Sequence, residues 1–101
     1  MGGTVPAGAT LIKAEEAITW DAKTYTATAV NGEVTIAIRN ESSLPHNLHL
    51  LDSANVDTGI SMSVEGRDDV RSQSLALKPG TYQVICSIPG HGNMKATLTV
   101  S

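Results

Sequence analysis

Phenylalanine is absent from this chain, and Trp20, Tyr25 and Tyr82 are its only aromatic residues. A core must therefore be packed mainly by Val, Ile, Leu and Ala, and Trp20 reads as a plug in that core. Cysteine occurs once, at Cys86, which excludes an internal disulfide and leaves the thiol to metal chemistry or to its own reactivity. Seven basic residues stand against ten acidic ones, a net charge of −3, and no run of Lys or Arg occurs. A phosphate-gripping surface has nothing to be made from, so nucleic acid is not an expected partner. Uninterrupted apolar stretches are only a few residues long, against the ~20 needed to span a bilayer. No basic-then-hydrophobic signal opens the sequence, so the chain reads as soluble with no membrane span.

What is present is the composition of one turn-rich globular domain: 101 residues, 41% apolar and 17% charged, with nine Gly and four Pro. The opening MGGTVPAG, residues 1–8, reads as a flexible lead left where a natural export signal or membrane tether was removed, with residues 9–101 forming the domain. Alternation with period two recurs, and no segment carries a long amphipathic stripe at helical spacing, so an all-β sandwich or barrel is expected. ATLIKAEE, ITW, KTYTATAV and GEVTIAIRN read as strand material, the last with Val34, Ile36 and Ile38 on one face and Thr35, Ala37 and Arg39 on the other. In HNLHLLD the same parity sends His46, Leu48 and Leu50 inward, and Asn47, His49 and Leu51 outward. Residues 52–69 read as an irregular excursion, with room for a short helix and with Met62 as a gap-filler. Alternation resumes from Ser72 to Leu77, LKPG makes a turn, and Tyr82, Val84 and Cys86 share the core face of the next strand. Tyr82, following LKPGT, has the placement of a tyrosine corner in a Greek-key sandwich.

The chemistry gathers in CSIPGHGNM, where Cys86, His91 and Met94 fall within nine residues. His46 in LPHNLHL offers a fourth donor. Two imidazoles, one thiolate and a long, weak bond to a thioether form the ligand pattern of blue-copper electron-transfer sites. Pro45 and Pro89 stiffen the two ligand loops, and Gly90 and Gly92 allow tight turning on either side of His91. His49 has the wrong parity to join this set.

GEVTIAIRN, SLPHNLHL, LKPGTYQVICSIPGHGNM and KATLTV occur in the order and rough spacing of a cupredoxin, and across most of its length the chain resembles that plastocyanin/azurin class of small copper proteins. The PGH before the ligand is similar to azurin and rusticyanin, and the His-x-x-Met spacing to the copper domain of cytochrome oxidase subunit II. That binuclear site needs two bridging thiolates, and one cysteine permits only a mononuclear centre. The resemblance implies a cupredoxin-like Greek-key β-sandwich and one Cu(II)/Cu(I) ion held by His46, Cys86, His91 and an axial Met94. It further implies a monomeric, non-enzymatic, one-electron carrier, with redox partner proteins docking near His91 and a periplasmic or extracytoplasmic location. Asn47 is expected to tie the His46 loop to the Ser87 region, as the residue after this ligand does in the family. Copper delivery, membership of a larger redox enzyme, and a Cys86–His91 thiol nucleophile are the alternatives. Few Met donors, only three His, and the unexplained Met94 and His-Asn motifs weigh against them respectively.

Overall fold

Period-two alternation of branched residues with polar ones builds the strands of the computed structural model, which describes residues 5–88 and 90–101. Residues 1–4 of the expected lead, and Pro89 with the stiffening role read for it, lie outside the described residues. Nine strands and no helix occur among the described residues. β1 (Thr10–Glu15), β2 (Thr19–Trp20), β4 (Glu33–Asn40) and β7 (Val70–Ala76) form one sheet in the order β2-β1-β4-β7. β3 (Thr24–Ala27), β5 (His46–Leu51), β6 (Asp57–Val64), β8 (Gly80–Ile85) and β9 (Lys95–Val100) form the other, ordered β3-β9-β8-β5-β6. Both sheets are mixed, because β1 runs parallel to β4 and β3 parallel to β9, while the remaining pairs are antiparallel. The chain leaves the second sheet after β6, adds β7 to the first, and returns to lay β8 beside β5, the crossover of a Greek-key sandwich.

The inner faces meet in a core of Ile12, Ile36, Ile38, Leu48, Leu50, Ile60, Val84 and Leu98, all wholly buried. Each such side chain contributes about 1.5–3 kcal/mol of transfer free energy on burial. Val34 and the inward parity of Leu48, Leu50, Tyr82, Val84 and Cys86 follow the sequence reading, and Ala37 is buried as well although its parity is outward. Trp20 plugs the interface and ties the sheets together, its indole N–H donating to the Val84 carbonyl at 3.2 Å. The Tyr82 hydroxyl donates to the Lys78 carbonyl at 2.6 Å, closing the expected tyrosine corner.

One expectation fails. Within the stretch read as irregular, Asp57–Val64 is an edge strand, β6, that buries Ile60, Met62 and Val64 and pairs with β5, with one register shift opposite His49–Leu51 near Gly59. The apolar residues do alternate there, but Gly59, Ser61 and Ser63 occupy the outward positions and their weak strand preference conceals the pattern. Met62 is a core filler, as read. The fold places the site through one pairing: β5 begins at His46 where its antiparallel neighbour β8 ends just before Cys86, with His49 opposite Ile85. Both ligand-bearing loops thus emerge at the same end of one sheet.

Candidate metal centre

His46, at the first residue of β5, is 1% exposed. Cys86, one residue past β8, is 7% exposed, and His91 in the following turn is 8% exposed. One donor atom from each of the three lies within 4.8 Å of the others. The Cys86 Sγ is 3.5 Å from His91 Nδ1, and the two imidazole centroids are 4.9 Å apart at an interplanar angle of 45°. A single ion with bonds of about 2.0–2.3 Å to nitrogen and sulfur, the values found for zinc, spans nearly that gap.

The atom that decides the character of the cluster is His46 Nδ1, which is buried and has no hydrogen-bond partner among the described residues. A buried polar atom left alone costs stability unless something binds it. Its other ring nitrogen, Nε2, is 2.7 Å from the Ser42 hydroxyl. Burial holds the His46 imidazole below its ordinary pKa, His91 pushes the same way, and Glu16 opposes them more weakly. A neutral ring with a free lone pair is the form that ligates metal. The donor set of one sulfur and two ring nitrogens suits copper.

The downstream loop is shaped by its own backbone. His91 N–H donates to the Ile88 carbonyl at 3.0 Å, Met94 N–H to the His91 carbonyl at 3.0 Å, and Cys86 N–H to the Met94 carbonyl at 3.3 Å. These bonds fold the segment into consecutive turns and hold residue 94, whose side chain is fully buried, next to Cys86 in the backbone pairing. Gly90, just before the ligand, has φ +87°, a left-handed conformation that favours glycine, whereas Gly92 does not have a positive φ.

The expected tie between the loops is present. Asn47 Nδ2 donates to Ser87 Oγ at 2.9 Å, and Ser87 N–H donates to Asn47 Oδ1 at 2.7 Å. His49 is apart from the cluster, with its Nδ1 3.5 Å from an Asp57 carboxylate oxygen. Sequence reasoning missed Asn40 and Ser42, both fully buried, Ser42 against the His46 ring and Asn40 bonded to Ser42. The available signal was their position: polar residues at the exit of an apolar strand, four and six residues before a ligand.

No protein-family model matches the sequence, and no curated protein matches it. Solved structures do match. An azurin (Az-iso2) from Methylomonas sp. strain J superposes with a TM-score of 0.73 at 20% identity, covering 95% of this chain and 99% of that one. The fold is that of the cupredoxins. Auracyanin A, a "blue" copper protein from Chloroflexus aurantiacus, gives a TM-score of 0.70 at 22% identity over 90% of this chain and 96% of its own. A mutant of amicyanin in its reduced state gives 0.68 at 19% identity, covering 96% of this chain and 86% of that chain. The cupredoxin sandwich here brings its lone thiol and two of its three histidines together at one end.

Proposed function

We propose that this chain is a mononuclear type 1 copper protein that carries single electrons. His46, Cys86 and His91 would hold the ion, and Met94 would supply a fourth, weaker donor. Copper bound there provides a Cu(II)/Cu(I) couple. The observation that carries this reading is the convergence of the three buried donors together with the unpartnered His46 Nδ1.

The protein's share of the chemistry is rigidity and dryness. Copper's two oxidation states favour different geometries, so donors fixed by strand ends and by the Asn47–Ser87 tie limit the reorganisation that each transfer requires. Burial of all three donors excludes water, and the apolar surroundings tune the couple. His91, the most exposed of the three, is the exit for the electron, and Leu44, 40% exposed on the neighbouring loop, belongs to the face on which a redox partner protein docks. The carrier acts as a monomer in the periplasm or another extracytoplasmic compartment. As a carrier it performs no catalytic step of its own.

The test is the visible and paramagnetic-resonance spectrum after addition of Cu(II). Wild type is expected to show an intense thiolate-to-copper charge-transfer band, and Cys86→Ala to lack it. A colourless wild type, or a band that survives in Cys86→Ala, overturns the proposal.

A further inference from the structure

Asn40 and Ser42 are polar, wholly buried, and part of no ligand set. Their hydrogen bonds leave little freedom in who donates to whom. Ser42 N–H, which can only donate, lies 3.0 Å from one Asn40 amide atom, and the Leu44 carbonyl, which can only accept, lies 2.8 Å from the other. The amide is therefore oriented with Oδ1 toward Ser42 and Nδ2 toward Leu44. Leu44 N–H in turn donates to Ser42 Oγ at 3.1 Å. The single hydroxyl proton of Ser42 has two acceptors waiting, Asn40 Oδ1 at 3.0 Å and the Leu44 carbonyl at 3.1 Å. What the hydroxyl has left to offer His46 Nε2, 2.7 Å away, is a lone pair.

The converse assignment is worse on both sides of the ring. A hydroxyl donating to Nε2 would place the ring proton on Nδ1, where a buried N–H would have no acceptor among the described residues.

We propose that Ser42 is a positioning residue for the metal centre: its hydroxyl oxygen, oriented by Asn40, accepts the Nε2–H of His46 and fixes the ring in the tautomer whose Nδ1 lone pair is free to ligate. The ligand is thereby prepared before any metal arrives. Groups that hold the second nitrogen of a ligating histidine govern ring orientation and basicity, and losing one costs about 10–100-fold in metal affinity. The consequence for affinity rests on the copper reading above, whereas the tautomer is a property of the metal-free chain.

The experiment is long-range proton–nitrogen NMR on the ¹⁵N-labelled protein without metal and with Cu(I), joined to Cu(II) titration of Ser42→Ala and Ser42→Thr. In metal-free wild type, His46 is expected to be protonated at Nε2 with a slowly exchanging proton. Ser42→Ala is expected to lose that protection, to mix tautomers, and to bind copper ~10–100-fold more weakly, with Ser42→Thr restoring all three properties. An Nδ1–H tautomer in metal-free wild type overturns the assignment whether or not the alanine variant folds. So does a folded Ser42→Ala with wild-type tautomer, exchange and affinity. A wild type that stays colourless with Cu(II) sinks the copper reading alone, and the metal-free spectrum still decides the role of Ser42.

Discussion

The two loops that converge on the cluster are built by opposite means. The downstream one, from Cys86 to Met94, delivers three of the four candidate donors from one short stretch, and its shape comes from turns closed by main-chain bonds only a few residues long. The upstream one, from Asn40 to His46, delivers a single donor and is held from all around the molecule. Asn40 N–H donates to the Asp69 carbonyl and Asp68 N–H to the Asn40 carbonyl, while Glu41 N–H reaches Ala14. The Glu16 carboxylate accepts from Ser43 N–H and from Arg67, and Arg67 also donates to the Glu41 carbonyl. The difference follows from chain entropy. Closing a short loop is cheap, so local turns suffice downstream, but a donor brought from forty residues away needs the sandwich and a side-chain network to fix it.

That contrast predicts where damage is greatest. Asn40→Ala removes the acceptor of Ser42 N–H and the donor to the Leu44 carbonyl, and it leaves the buried Ser42 N–H and hydroxyl and the partly buried Leu44 carbonyl short of partners. A loss of about 2–4 kcal/mol is expected, since each orphaned buried group costs about 1–3 kcal/mol. Urea unfolding of the metal-free protein measures it. A change within ~0.5 kcal/mol, the usual scatter for surface substitutions, would mean that the upstream loop does not depend on its side chains and would dissolve the contrast.

The same asymmetry governs how far the sequence was readable. Parity alone sent His46 and Cys86 inward, and the donor types in CSIPGHGNM marked the loop that joins the buried cluster, because local spacing and strand periodicity are properties of the chain itself. The Asn47–Ser87 tie was reached through family likeness. Asn40 and Ser42 escaped notice because Asn and Ser at a strand exit are ordinary turn residues until a neighbouring sheet buries them. β6 escaped because its outward positions carry Gly and Ser, and its strand character is settled by pairing with β5 rather than by propensity. Features determined by residues close in sequence were legible, and those determined by distant neighbours were not.

The tie between the loops tests whether they are mechanically one unit. Asn47→Ala removes two hydrogen bonds to Ser87 at a partly exposed position, so a loss of about 1–2 kcal/mol is expected, near the sum of two ordinary net contributions. Its signature should appear in both loops, with faster amide exchange at Ser87 and at His46. Faster exchange at Ser87 alone would show that the upstream network holds His46 without help from the downstream loop, which sharpens the contrast.

The smallest effect belongs to the outermost brace. Glu16 is more than half exposed, and its carboxylate accepts from Arg67 and from Ser43 N–H, both at 2.6 Å. Exposed ion pairs contribute about 0.2–1 kcal/mol and are screened by salt, whereas an acceptor for a backbone N–H acts without any net charge. Glu16→Gln keeps the acceptor and removes the charge, so its cost is expected to stay under about 0.5 kcal/mol and to vanish in molar salt. Glu16→Ala removes both, for about 1 kcal/mol, part of which must persist in salt if the bond to Ser43 is what steadies the loop. Measuring the two variants at low and high ionic strength separates charge from hydrogen bonding. Equal losses that disappear together in salt would assign the brace wholly to the Arg67 pair and leave Ser43, one residue from the hydroxyl that orients His46, without support from this side of the molecule.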